Sequence, residues 1–487
     1  MKHCRFFWVI FLAAIIFGAV PATRANAVTV RIGISTGKSV LQLWSDSKLL
    51  ITDSLQPNRK MLIAPHSKVE FTKSATPQRV RAHGTILSGQ VTISVDGKKF
   101  PAWQVVAVRP LDWREFIRVS SNGENAHWSR PYRGTFEITP QTYSFDPARH
   151  QNPLRVVNVV NLEDYLKGVV PWEMTPTAPL EALKAQAICA RSETIHDMQS
   201  GRHRNDGFDM CDYDHCQGYP GTENEKPRST LAVEQTAGLV LTYSGTIADA
   251  VYGTNSGGIT ADSTDVWRGP AVPYLRNVFD FAPNSPLAEV VKPHMTEADW
   301  KIYCSTNLPS FAQPTAEDIS ELAARRAKYP RVAALYQPGD LPDFYRWSRT
   351  ITQAQILQAL APKMHPPVNV ISELRILERA PSGHIKKLQV IGKWQEDGAV
   401  KSTSTLLIQG DGAIRSMLSG RLGSIVSLPS STFVVSTQGN DFVLKGAGWG
   451  HGVGMCQDGA AAHARAGWAA RQILEWYFKG VKITKWK

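Results

Sequence analysis

Cysteine is scarce in this 487-residue chain: there are six, and after Cys4 only Cys189, Cys211, Cys216, Cys304 and Cys456 remain. A protein of this size needs no disulfide framework. With five cysteines, at least one thiol is free, buried or bound to something. Lysine and arginine runs interleaved with aromatics are also missing, so nucleic-acid binding lacks its usual footprint. Repeats and low-complexity tracts are absent. With 43% hydrophobic and 20% charged residues, the length suits two or three globular units. The single long apolar run, FFWVIFLAAIIFGAV, follows Lys2 and Arg5 and precedes Ala25-Asn26-Ala27. It is shorter than the roughly 20 residues that span a bilayer, and a small-x-small cleavage pattern follows it. Residues 1–27 are therefore expected to be a signal peptide, and the product from Val28 an exported protein of the periplasm or the extracellular cell wall, with no stable membrane span. Lys2, Arg5 and Arg24 supply three of the +12 formal charges, so +9 remains, a balance suited to polyanionic envelope material.

What is present divides the chain. Residues 28–145 read as a β-rich domain, with runs such as VTVRIGI, WQVVAV and GTFEI and turns such as Asp96-Gly97. RVVNVVNLEDYLKGVVPWEM then changes period. From Pro179, PLEALKAQAICARSETIHDM places Leu180, Leu183, Ala187, Thr194 and Met198 on one helical stripe. Short strands broken by glycine pairs follow. Residues 285–369 read as a largely helical insertion, and residues 370–436 return to strand. Two short helices are expected over 460–466 and 470–478. The expected fold is α+β: a β-rich core (146–284 and 370–487) with a few helices packed around a groove, plus the N-terminal β domain and the insertion.

Three stretches carry chemistry. Glu173 in VVPWEM follows Trp172 in apolar company. Burial against an indole keeps a carboxyl protonated, as a general acid requires, yet residue chemistry alone favours a solvent-facing or helix-capping glutamate. In GWGHGVGMCQDGA, alternate glycines around His451 bring backbone N–H groups close to a ligand or to another strand. FDMCDYDHCQGYPG offers Cys211, His215 and Cys216 as zinc ligands, as a Cys211–Cys216 disulfide, or with Cys216 as a nucleophile; zinc and disulfide stand level, ahead of the nucleophile. Ser35-Thr36-Gly37-Lys38 matches S-x-x-K by chance, since it lies between strands.

Read in order, NLEDYLKGVVPWEM, EALKAQAICARSE, CQGYPG, TNSGGITADSTDVW and GWGHGVGMCQDGAAAHARAG resemble the motifs of the stage II sporulation protein D family, which includes the amidase enhancers. The resemblance covers about residues 145–480. It implies a peptidoglycan lytic transglycosylase that cuts the bond between N-acetylmuramic acid and N-acetylglucosamine in denuded strands, leaving 1,6-anhydro ends. Glu173 falls on the family's catalytic glutamate, and Gln217, Tyr219, Ser256, Gly257, Gly258, His451 and Gln457 on its groove positions. No cofactor is required. Some members bind zinc near the segment matching CDYDHCQ, and Cys456, where many members have serine, offers a fourth ligand beside Cys211, His215 and Cys216, or a disulfide partner. Two other functions fit these residues: a non-catalytic glycan-binding module that stimulates a partner amidase, and a cell-wall peptidase pairing Cys216 or Cys456 with His451.

Overall fold

The computed structural model describes residues 28–35, 41–82, 85–123, 126–141, 153–292, 294–316, 319–320, 345–418 and 428–486. The expected signal peptide and Lys38 lie outside them. No helix among the described residues is long and apolar enough to cross a membrane. Helices and strands in several sheets make an α+β protein.

One seven-stranded sheet organises the first half. Its central strands are Thr29–Gly33, Leu154–Asn161 and Thr135–Pro140, with Met210–Cys211 at one edge and Gln56–Ile63 at the other. Thr29–Gly33 pairs antiparallel with Leu154–Asn161 and parallel with Met210–Cys211. The sheet therefore runs across the expected boundary at 145/146. A six-stranded sheet packs with it through Leu41, Leu43, Phe71, Ile93 and Val119.

Helix α1 (Leu162–Glu173) starts because Asn161 Oδ1 accepts the Glu163 and Asp164 N–H groups, and acids in the first turn suit the helix dipole. Helix α2 (Leu180–Ser200) begins after Pro179 and ends at Gly201, whose φ of 69° is the left-handed conformation that glycine adopts without strain. The sequence pattern gave α2 one apolar stripe; it is instead buried almost all round, from Ala182 to Ile195. Helix α3 (Pro227–Gln235), α1, the strand Leu239–Tyr243 and the C-terminal helices Gln457–Arg465 and Ala470–Tyr477 surround it. Its alanines let those backbones approach. Arg191, fully buried, bonds Glu163 through Nε (2.8 Å) and Nη2 (2.6 Å) and also donates to the Leu239 and Val233 carbonyls.

The second half adds two three-stranded sheets, one of Arg346–Ile351, Asp441–Ala447 and Phe433–Gln438, the other of Val370–Arg379, Ile385–Glu396 and Ala399–Gln409. They share a core of Trp347, Ile356, Leu360, Leu388, Ile414 and Leu444. The stretch expected to be a helical insertion thus contains the strand Arg346–Ile351, paired along its length with Asp441–Ala447, beside the helices Glu297–Ser305 and Gln353–Leu360. Arg346 and Tyr303 both donate to the Gly257 carbonyl, at 2.8 and 2.7 Å, so this region is bonded into the core.

Candidate functional site

Glu173 is the last residue of α1, half-buried, with Trp172 beside it. The Gly218 N–H donates to its Oε1 at 2.6 Å, a short bond that fixes the carboxyl's direction. Gly218 is required there, because a β-carbon would fall inside the Trp172 indole. The neighbouring Gln217 is completely buried. Its Nε2 donates to the Ala190 carbonyl and to Glu193 Oε2, each at 3.0 Å, and its Oε1 accepts from Tyr165 (3.3 Å) and Thr194 (3.4 Å). Tyr219 is equally buried, donates to Asn158 Oδ1 at 3.1 Å and packs against Tyr132 and Tyr165. Gln217 and Tyr219, expected to line a groove, are instead interior braces, because their polar atoms are spent on protein partners.

The metal expectation needs one substitution. His203, Cys211, His215 and Cys216 each offer a ligand atom, all within 4.8 Å of one another. Cys456 is elsewhere: its Sγ accepts the Ser256 and Gly459 N–H groups and caps the helix Gln457–Arg465. Among the described residues no cysteine is disulfide-bonded. The separations are 3.1 Å (His203 Nε2 to Cys216 Sγ), 3.7 Å (Cys211 Sγ to His215 Nδ1) and 3.6 Å (Cys216 Sγ to His215 Nδ1). A tetrahedral zinc site with two sulfur and two nitrogen ligands has edges of about 3.3–3.8 Å; two separations match and the 3.1 Å one is slightly shorter, so the donor set suits the ion after a small adjustment. Asp206 Oδ2, 3.0 Å from His203 Nδ1, turns Nε2 toward the sulfurs, the carboxylate–histidine arrangement typical of metal ligands. The Cys216 thiol is held below its ordinary range by the Cys211 hydrogen bond and then by His203 and His215, while burial pushes Cys211 up. Sequence reading missed His203 because it stands eight residues before Cys211; the spacing to Asp206 was the available signal.

The glycine motifs meet across a two-residue parallel pairing, Tyr252 with Met455 and Gly253 with Cys456. Asn255 bridges to Trp449, and Gly257 and Gly448, both at positive φ, pack against each other. Gly258 is buried behind them, and Ser256 is half-buried with its Oγ accepting the Gly258 N–H. His451 Nδ1 accepts the Val453 N–H at 3.0 Å, which leaves the ring proton on Nε2, and the ring also bonds the Tyr252 backbone. Burial lowers its pKa to about 4, so it is neutral. Burial raises the Cys456 thiol, and a neutral histidine already tied to backbone does not activate it. Gln457 is buried and donates to Gln186 Oε1 at 3.3 Å.

A second carboxyl was not anticipated. Glu193, on α2 and buried, is pushed well above the usual carboxylate range by burial and then by Asp249.

The family described as stage II sporulation protein matches residues 150–243, and one described as a domain of unknown function (DUF8618) matches 261–454. An uncharacterized protein of Brachyspira hyodysenteriae is 27% identical over 69% of this chain and 70% of its own. The amidase enhancer of Bacillus subtilis is 26% identical over 76% of this chain and half of its own length, and stage II sporulation protein D of the same organism 24% identical over 68% and 76%.

Proposed function

Given that the chain belongs to the stage II sporulation protein D family, we propose that it is an exported lytic transglycosylase acting on peptidoglycan glycan strands, with Glu173 as its single acid/base. The observation that carries this reading is the Glu173 carboxyl, aimed by the Gly218 N–H at the end of α1. Ordinary glycosidases need a second carboxyl as nucleophile or base. Glu193 is ill suited to that part, since it is buried and bonded inward to Gln217. One carboxyl suffices when the sugar supplies its own nucleophile. Glu173 protonates the glycosidic oxygen as the C1–O bond breaks, and the muramyl C6 hydroxyl then attacks C1 while its proton passes to Glu173. No water is consumed and a 1,6-anhydro end forms.

His203, Cys211, His215 and Cys216 would hold a zinc ion, which supplies a cross-link rather than a reacting group. It would tie the segment after α2 to the loop carrying Gly218. The relative named amidase enhancer favours a second reading, a glycan-binding protein that stimulates a cell-wall amidase. Incubation with denuded glycan separates the two. Release of anhydro-muramyl products by the wild type, lost in Glu173→Gln, supports the enzyme. Reducing ends without anhydro product, or amidase stimulation unchanged in Glu173→Gln with no cleavage by the wild type, overturns it.

A further inference from the structure

Gln217 joins three elements. Its amide donates into α2 at Ala190 and Glu193, its carbonyl accepts from Tyr165 of α1 and Thr194 of α2, and its own peptide unit carries the N–H of Gly218 that meets Glu173. The direction of that N–H therefore depends on how Gln217 is held. Ala190 O is a helix carbonyl and cannot be changed by substitution, and Tyr165 and Thr194 make the longer bonds. Glu193 Oε2 is the close side-chain acceptor, and it is not a general structural ion pair, since no cation bonds it among the described residues. Its charged surroundings are Asp249, Asp197 and Cys216, with Arg202 as the neighbouring cation. Burial disfavours its charged form, and acids perturbed in this way cluster at functional sites.

We propose that Glu193 is a positioning residue of the Glu173 site: through Gln217 it sets the peptide plane of Gly218 and hence the direction of the Glu173 carboxyl. This rests on Glu173 being the reacting group. Burial favours the neutral form of Glu193, whose Oε2 accepts from Gln217. It does not touch substrate.

The test has a readout that needs no activity. Labelling glutamine carbonyl carbon and glycine nitrogen selects the three Gln-Gly amides, at Gly218, Gly410 and Gly439. The Gly218 proton, bonded to the Glu173 carboxyl at 2.6 Å, resonates well downfield and returns upfield in Glu173→Gln, which assigns it. Glu193→Leu, which has no acceptor, is expected to move this resonance upfield and to lower kcat at least tenfold with KM unchanged. Glu193→Gln, which keeps an acceptor, restores both. Should Glu193→Leu not fold, Gln217→Met breaks the same link from the other side and gives the same shift. An unmoved Gly218 resonance in Glu193→Leu or Gln217→Met overturns the proposal. So does a Glu193→Gln variant as impaired as Glu193→Leu, which would mean that the carboxyl proton itself is used. A wild type that cuts no glycan refutes the transglycosylase reading while leaving the resonance test intact.

Discussion

A carboxylate gains a fixed direction from one backbone N–H only when that N–H cannot swing, and Gly218 is pinned by the indole on one side and Gln217 on the other. Gly218→Ala should therefore lose glycan cleavage and about 1–3 kcal/mol of stability, as overpacking does, measured by product release and urea unfolding. Cys456→Ser should keep both activity and stability within about 1 kcal/mol, because a hydroxyl can accept the Ser256 and Gly459 N–H groups as the sulfur does. Loss of activity in that variant would revive a cysteine-dependent reading. At this scale the apolar neighbours of Glu173 did not by themselves separate it from a solvent-facing or capping glutamate; only the resemblance singled it out. It misplaced Gln217 and Tyr219 because polar side chains look available until partners are known, and theirs, Ala190 and Asn158, lie 27 and 61 residues away.

Between elements, stability rests on a few cross-links. Arg191 ties α1 to α2, α3 and the strand Leu239–Tyr243. Arg191→Ala leaves Glu163 without its guanidinium and should cost on the order of 3–5 kcal/mol, read from thermal and urea unfolding. The four-ligand cluster ties the segment after α2 to the strand Met210–Cys211. If the cluster holds the proposed zinc, Asp206→Asn should weaken its binding about 10–100-fold by releasing the orientation of His203, measured by competition with a chromogenic chelator. At α1 only a change of period was read, whereas the start of α2 was legible from Pro179. The strand Arg346–Ile351 was not, because its inward positions include arginines, Arg346 and Arg349, which hide the apolar alternation. The burial of α2 on all sides was hidden too, since alanine serves an exposed face and a tightly packed one equally.

Taken whole, the molecule is joined by sheets that ignore sequence order. A chain beginning at residue 153 would leave both edges of Leu154–Asn161 uncovered, and it should aggregate, as size-exclusion chromatography would reveal. Acid should also loosen the fold. His451 titrates at about 4 when folded and near the ordinary 6.5 when unfolded, so the unfolded chain takes up its proton first. The resulting stability is complete above about pH 6.5 and is lost as pH falls toward 4, on the order of 3 kcal/mol, with His384, also lowered by burial, adding in the same direction. His451→Gln should flatten that part of the profile in urea titrations at pH 7 and 4.5. None of this was legible beforehand, because alternation identifies a strand but not its neighbour.

The placement of Thr29–Gly33 between Leu154–Asn161 and Met210–Cys211 sets a timetable for the growing chain. The first of the described strands is flanked by two of the later ones, and the Val28 carbonyl receives the N–H of Leu162 at the head of α1. That strand must wait, unpaired, until more than a hundred further residues have emerged. Met210–Cys211, which leads into the loop carrying Gly218, can join its other edge only later still.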